Sequence, residues 1–205
     1  MLDLFIKGGP VMYALLACSI IAVAVIIERF WYLWRQRQPA EELFEEVRET
    51  LAEGKVLEAM QLAQQSDGPM ANMLAEAIAH HDEGQEAIRQ SMERAGQEQV
   101  ALLERGLPVL DVIVTIAPLL GLLGTVLGII RSFNVLGALQ GINDPAALST
   151  GIAEALITTA AGLTIAIPTL IFHRYLSTVV DGIVAQMSEK ADEVLNMLAE
   201  AKGGE

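Results

Sequence analysis

The sequence predicts an all-α membrane protein with three transmembrane helices. Of its 205 residues, 53% are hydrophobic, yet the formal net charge is −13. A single soluble domain does not combine these values, whereas a chain that separates apolar from acidic stretches does. The apolar blocks are residues 10–27, 107–130 and 146–172, and the acidic blocks are residues 41–104 and 181–205. Each apolar block approaches or exceeds the roughly 18 residues expected of a spanning helix.

The first apolar block predicts a retained transmembrane helix, residues 10–34, that follows an outer N-terminal segment, residues 1–9. A cleaved signal peptide fits poorly, because the segment before the block has one Lys and one Asp and no small-residue cleavage site follows it. Cys18, the single cysteine, lies in this helix, so an internal disulfide is excluded and we interpret the residue as a small hydrophobe.

Residues 35–106 predict an acidic helical domain. Gly54 and the Asp67-Gly68-Pro69 turn separate segments whose apolar residues recur at helical spacing. No strong breaker precedes Pro108, so the last helix of this domain is expected to continue directly into the second membrane helix. The apolar positions that predict the first two helices are Leu43, Val47, Leu51, Leu57, Met60 and Leu62.

The second membrane helix, residues 107–131, is predicted to pack through small residues. Its small-xxx-small pair is a weak signal alone, but small residues continue along one face at steps of three and four. In lipid, small side chains let helix backbones approach closely. The predicted packing residues, including one from the third membrane helix, are Ala117, Gly121, Gly124, Gly128 and Gly162.

An outer loop, residues 132–147, leads to a third membrane helix, residues 148–173, and a helical cytoplasmic tail, residues 174–205. In the loop, Asn143 or Asp144 can cap the helix that follows. Apolar residues form a stripe along the tail. The long second and third helices are therefore expected to extend into the cytoplasm.

Glu154 lies inside the third apolar block. A carboxylate at this depth is costly and usually faces a protein interior or a polar path instead of lipid. Thr158 shares its helical face, whereas Thr159 lies well round the helix. Three membrane helices can hardly enclose a polar path alone, so we infer an oligomer whose subunits surround the carboxylate.

Arginine positions predict the orientation. Arg29 follows the first helix, Arg105 precedes the second and Arg174 follows the third, and arginine near helix ends marks the cytoplasmic side. The N-terminus is therefore expected outside and the C-terminus in the cytoplasm. Arg131, at the outer end of the second helix, is the exception and suggests a local partner.

Several classes of function are disfavoured. An acidic protein lacks the basic surface that nucleic acid requires. His80 and His81 have no matching Cys or His ligands, so we expect no metal site and no cofactor. An enzyme within the membrane needs a nucleophile–base or metal constellation at that depth, and three His, one Cys and no acidic pair argue against one. No catalytic residues are therefore predicted.

Two motifs resemble the MotA/TolQ/ExbB proton channel family of the flagellar stator, Tol and Ton systems. The Gly8-Gly9-Pro10 opening before the first helix also fits, and so does the order of the segments. The flagellar branch has a fourth membrane helix, so the three-helix plan resembles the ExbB and TolQ branch. The motifs are residues 117–128 with Ile130 and Phe133, and residues 151–163 followed by Ala166-Ile167-Pro168.

The resemblance implies a motor subunit of the bacterial inner membrane, driven by the proton-motive force. It implies a lipid-embedded homopentamer around an ExbD/TolR-like partner with one membrane helix, whose aspartate is the main proton carrier. A TonB- or TolA-like protein would pass the work to the outer envelope, as in TonB-type import of biopolymers or nutrients. By resemblance, Thr125 and Thr159 match pore-lining threonines and Glu154 matches a family glutamate. With Thr158, these residues form the predicted ion pathway.

Alternatives stay open at this point. Glu154 can form an interhelical hydrogen bond or salt bridge, with Arg131 as a candidate partner, and Thr125 and Thr159 can be packing hydroxyls. The chain can instead serve Tol-type envelope maintenance, a motility motor or a non-conducting membrane scaffold. Threonine hydroxyls suit H⁺ and Na⁺ equally.

Overall fold

The structure, a computed structural model, describes residues 8–36, 40–138 and 145–203. These residues form helices joined by turns, without a strand among them, which confirms the all-α prediction for this part of the chain. The helices are α1 (Val11–Gln36), α2 (Ala40–Ala52), α3 (Val56–Gln65), α4 (Pro69–Ala79), α5 (Gln85–Glu104), α6 (Leu107–Ala138) and α7 (Pro145–Gly203).

Within the described ranges, three helical stretches, in α1, α6 and α7, are long and apolar enough to cross a membrane by length and composition. Their number agrees with the three predicted membrane helices. Both α6 and α7 extend into the predicted outer loop, residues 132–147. The predicted segment of residues 1–9 is described only at its last two positions, and the predicted caps Asn143 and Asp144 lie outside the described residues.

The chain divides into two compact units. We call them the apolar unit (Met1–Glu28 and Gly106–Tyr175) and the acidic unit (Arg29–Arg105 and Leu176–Glu205). The acidic unit has its own hydrophobic core, formed by α2–α5 and the last part of α7. Burial of apolar surface in such a core stabilises the folded state by about 25 cal/mol per Å². Its largest fully buried side chains include Phe44, Val47, Leu74, Ile78 and Val194.

The buried face of α3 differs from the sequence expectation. Leu57, one of the residues whose spacing predicted this helix, is 76% exposed, whereas Ala59 and Ala63 are buried. In α2, Phe44 is buried and Leu43 lies only at the edge of the core. The spacing therefore identifies the helices, but the close approach that alanine permits decides which side of α3 faces inward.

The expectation that α5 continues into α6 is wrong. Helix α5 ends at Glu104 and α6 begins at Leu107. Between them, Gly106 has a φ of +85°, in the left-handed region that costs an L-residue roughly 1–2 kcal/mol. The N–H of Val109 then donates to the Gly106 carbonyl (3.1 Å) and starts the new helix. Glycine just past a helix end, followed closely by Pro108, is the signal for this break.

Arg29 stabilises the end of α5 within the acidic unit. The residue is only 4% exposed, its Nη1 donates to the Leu102 carbonyl oxygen at 3.0 Å, and its guanidinium carbon lies 4.9 Å from the centre of the Tyr32 ring. The last four carbonyls of a helix have no partner within that helix. Because α5 ends at Glu104, the Leu102 carbonyl has no helical N–H partner, and Arg29 donates a hydrogen bond to it instead.

Candidate functional site

Helices α6 and α7 pack antiparallel along a line of small residues, which we call the glycine seam. A Cβ built on Gly162 would lie 2.5 Å from the carbonyl oxygen of Ala117, and one on Gly128 would lie 2.9 Å from that of Gly151. Only glycine permits backbones to approach this closely. The structure places all five predicted packing residues along the seam. Its glycines are Gly121, Gly124, Gly128, Gly151 and Gly162.

Thr125 of α6 and Thr159 of α7 meet at the seam, and we call this pair the hydroxyl bridge. Their hydroxyl oxygens are within hydrogen-bond distance of each other. Thr125 Oγ1 also lies 3.1 Å from the Ala155 carbonyl oxygen, and Thr159 Oγ1 lies 3.1 Å from that of Gly121. Thr125 Oγ1 lies 3.3 Å from the Gly121 carbonyl oxygen as well. Each hydroxyl carries one proton, so two protons serve four hydrogen-bond contacts. The bridge is therefore a polar link that can rearrange its bonds.

Thr158 lies inside the seam. It is fully buried, and its hydroxyl donates to the Ala155 carbonyl of its own helix at 2.9 Å. A Cβ on Gly124 would overlap the Thr158 side chain. The Thr158 side chain thus fills the space left by the missing side chain of Gly124. The place of Thr158 on the ion pathway stays a prediction.

Glu154 of α7 forms an ion pair with Arg131 of α6. Nη1 of Arg131 lies 2.8 Å from Oε1 and 2.9 Å from Oε2 of Glu154. The Glu154 side chain is 14% exposed and the Arg131 side chain 56% exposed, so the carboxylate is sheltered while the guanidinium reaches the surface. The salt bridge that the sequence left open is present, and Arg131 has the local partner that its position suggested.

The turn before α1 also packs against Glu154. Gly9 has a φ of +70°, and a Cβ built on it would overlap Oε1 of Glu154. A Cβ on the neighbouring Gly8 would lie 3.4 Å from Cγ2 of Ile157, one turn along α7. Sequence spacing does not link Gly9 to Glu154, because 145 positions of chain separate them. The consecutive glycines before Pro10 are the signal that could have drawn attention to this turn.

No metal-binding cluster is found in the described part of the chain, where no group of three or more His, Cys, Asp or Glu is placed to hold an ion. His80 and His81 lie at the end of α4. Their Nδ1 atoms are 2.9 Å and 2.8 Å from the backbone carbonyl oxygens of Glu76 and Ile78. These histidines therefore interact with the end of their own helix.

A protein-family model matches part of the chain. Residues 65–189, more than half of the chain, match a family model described as the MotA/TolQ/ExbB proton channel family. The matched region contains the hydroxyl bridge and the Arg131–Glu154 ion pair. Gly9 and the whole of α1 lie outside it.

Curated relatives agree with the family match. A protein of Synechocystis sp., provisionally named biopolymer transport protein ExbB-like 1, is 37% identical over 179 residues, which cover 86% of this chain and 70% of that protein. A protein of Methanothermobacter thermautotrophicus, provisionally named a biopolymer transport protein ExbB homolog, is 33% identical over 88% of this chain and 64% of its own length. The Tol-Pal system protein TolQ of Pseudomonas aeruginosa is 37% identical over 53% of this chain and 46% of its own length.

Proposed function

This chain belongs to the MotA/TolQ/ExbB proton channel family, and we propose that it is one subunit of a motor in the bacterial inner membrane, driven by the proton-motive force. Its similarity to proteins named ExbB and TolQ supports an ExbB/TolQ-type proton channel subunit. The proposed work of the motor is energy transfer to the outer envelope. The words "biopolymer transport" in the names of two relatives favour import through a TonB-type system over Tol-type envelope maintenance.

The observation that carries this proposal is a set of polar side chains within an apolar helix pair. Polar and ionisable groups at membrane depth are costly, and by default they mark ion pathways. Along α7, the five-residue step from Glu154 to Thr159 corresponds to about 7.5 Å. A carboxylate that takes up and releases the ion, followed by hydroxyls that can exchange hydrogen bonds, forms a stepwise path along the seam.

The proposed orientation places the N-terminus outside and the C-terminus in the cytoplasm. Arg29, Arg105 and Arg174 stand at the ends of the apolar stretches that would then face the cytoplasm. Trp31 and Trp34, near the end of α1, are 70% and 69% exposed, as suits side chains at a membrane–water interface, where Trp is enriched. The acidic segments of the chain would then be cytoplasmic.

The proposed assembly is a homopentamer around an ExbD/TolR-like helix, coupled to a TonB- or TolA-like protein. Leu119, Leu122, Leu156 and Ile167 are each more than half exposed in the single chain. Exposed apolar side chains on membrane helices need lipid or other helices as neighbours. A ring of subunits in lipid supplies both, and it lets several copies of the seam surround one central helix.

Replacement of Glu154 by Ala tests the pathway. In cells that carry the partner genes, we expect Glu154→Ala to abolish uptake of a nutrient that needs a TonB-type system. Assembly of the membrane complex, followed by native electrophoresis of detergent extracts, should be largely retained. Asp111→Asn serves as the control, since Asp111 is an exposed carboxyl near the start of α6, 20 positions before Arg131. Uptake that survives Glu154→Ala would reject the essential role of this carboxylate.

Three further results would redirect the proposal. Wild-type uptake in Glu154→Gln would favour a non-conducting membrane scaffold, because an amide keeps hydrogen bonds but cannot carry a proton at this site. If deletion of the gene leaves nutrient uptake intact but makes cells sensitive to detergents and releases periplasmic proteins, the Tol-type role is favoured. Loss of swimming alone would instead indicate a motility motor.

A further inference from the structure

We propose that Arg131 and Gly9 are positioning residues that hold Glu154 in a latched state. We call these three residues the latch. The inference rests on the proposed function, because it assigns a form of regulation to the carboxylate of the ion pathway. In the latched state Glu154 is paired with a cation of its own chain, and an incoming ion has to compete with that cation.

The first support for the latch is the charge pairing. Both carboxylate oxygens of Glu154 lie within 2.9 Å of Nη1 of Arg131, and the carboxylate is largely sheltered. Opposite charges attract more strongly where the surroundings are less polar than water, and a sheltered charge without a partner is costly. Arg131 therefore acts as a tethered counter-ion that stabilises Glu154 in one position.

The second support is the backbone turn at Gly9. Because a Cβ on this residue would overlap Oε1 of Glu154, the carboxylate occupies the space that any other residue would fill. The φ of +70° also favours glycine at this position. Contact with the turn restricts where the carboxylate can move while Arg131 holds it.

The third support is the separate bonding of the hydroxyl bridge. Thr125 and Thr159 bond to each other and to the carbonyls of Ala155 and Gly121, whereas the carboxylate of Glu154 bonds to Arg131. The two polar parts of the proposed path thus make different hydrogen bonds in this state. Release of Glu154 from Arg131 would be the step that connects them.

Carbodiimide labelling of Glu154 tests the latch without any measurement of transport. Dicyclohexylcarbodiimide adds to protonated carboxyl groups in apolar surroundings and leaves an acylurea that mass spectrometry can locate. The full chain in phospholipid vesicles would be labelled as wild type, Arg131→Gln and Arg131→Lys. We expect Glu154 to react about tenfold faster in Arg131→Gln, since a charge-assisted hydrogen bond is lost. Arg131→Lys keeps the cation and should react at close to the wild-type rate.

Gly9→Ala provides a second, independent variant. It keeps both charges but puts a methyl group where the carboxylate lies, so Glu154 should again react several-fold faster than in the wild type. Asp111, in the same helix as Arg131, is the internal control and should be labelled equally in every variant. If Arg131→Gln does not accumulate in the membrane, Gly9→Ala alone decides the question.

Two results would overturn the latch. Labelling of Glu154 at the wild-type rate in Arg131→Gln and Gly9→Ala would show that neither residue restrains the carboxylate. Equal acceleration in Arg131→Gln and Arg131→Lys would assign the effect to lost packing instead of lost charge. The proposed function fails separately, since uptake that survives Glu154→Ala rejects the pathway whatever the labelling rates are.

Discussion

Thr159 and Glu154 lie on different sides of α7, yet both contact α6. The five-residue step between them corresponds to about 140° of rotation round the helix. Thr159 meets α6 directly through the hydroxyl bridge, whereas the long side chain of Arg131 extends from α6 to Glu154. Helix α6 can therefore contact both polar side chains of α7, even though the helical periodicity of α7 places them on different sides of that helix.

Removal of a single hydroxyl should separate conduction from packing. Thr159→Val keeps the side-chain shape and leaves Thr125 with the Ala155 carbonyl as its acceptor, so stability should change by less than about 1 kcal/mol. Energy transduction should fall strongly, because the hydroxyl bridge is lost. Uptake of a TonB-dependent nutrient measures the activity, and thermal unfolding in detergent measures the stability.

Thr164→Val is the matched control for this prediction. Its hydroxyl donates to the Ala160 carbonyl of its own helix at 2.8 Å, and the residue is exposed. Uptake should stay at the wild-type level. If Thr159→Val and Thr164→Val transport equally well, the hydroxyl bridge has no part in conduction.

The glycine seam makes α6 and α7 sensitive to a single methyl group. A Cβ at Gly124 overlaps the side chain of Thr158, so Gly124→Ala should destabilise the chain by about 1–3 kcal/mol. The double variant Gly124→Ala with Thr158→Ala should recover much of this loss, because it removes the overlapping atoms. Thermal unfolding in detergent, followed by circular dichroism, measures both.

Gly182→Ala, in α7, is the control for the seam. A Cβ at Gly182 would meet nothing within 4 Å, so the change should stabilise α7 by about 1 kcal/mol through helix propensity alone. A neutral Gly124→Ala, or a double variant as unstable as the single one, would contradict the assignment of this contact.

Arg29 should matter most at the last turn of α5. Arg29→Met keeps the length of the side chain but removes the part-buried hydrogen bond to the Leu102 carbonyl, a loss of about 1 kcal/mol. Amide hydrogen exchange should therefore accelerate in the last turn of α5 and much less in α4. Equal exchange in the variant and the wild type would show that water replaces the guanidinium without cost.

The existence of the helices followed from the sequence better than their buried faces did. Apolar spacing is sufficient to predict α3, but Leu57 faces outward because Ala59 and Ala63 let the helix pack more closely. The break at Gly106 was missed because the prediction relied on Pro108, whereas a left-handed glycine ended α5 earlier. Gly9 was not connected with Glu154, since contacts between distant residues leave no periodic pattern in a single sequence.

For the molecule as a whole, the exposed apolar side chains predict behaviour in detergent. The chain has a mass of 22.1 kDa, and we expect it to leave membranes only with detergent and to give a complex of five chains in native mass spectrometry. The physical reason is that exposed leucines on membrane helices require lipid or neighbouring subunits. A stable monomer in buffer without detergent would contradict both the membrane assignment and the oligomer.

The ion pair between Arg131 and Glu154 also bears on how the protein is made. Without Arg131 the sheltered carboxylate of Glu154 would enter the bilayer as an uncompensated charge, whereas the two side chains together form a neutral pair. Since α6 and α7 are consecutive and lie backbone to backbone at the glycine seam, the insertion machinery would release them into the bilayer as one hairpin. Biogenesis of this chain would then couple the entry of its last two apolar stretches into a single event.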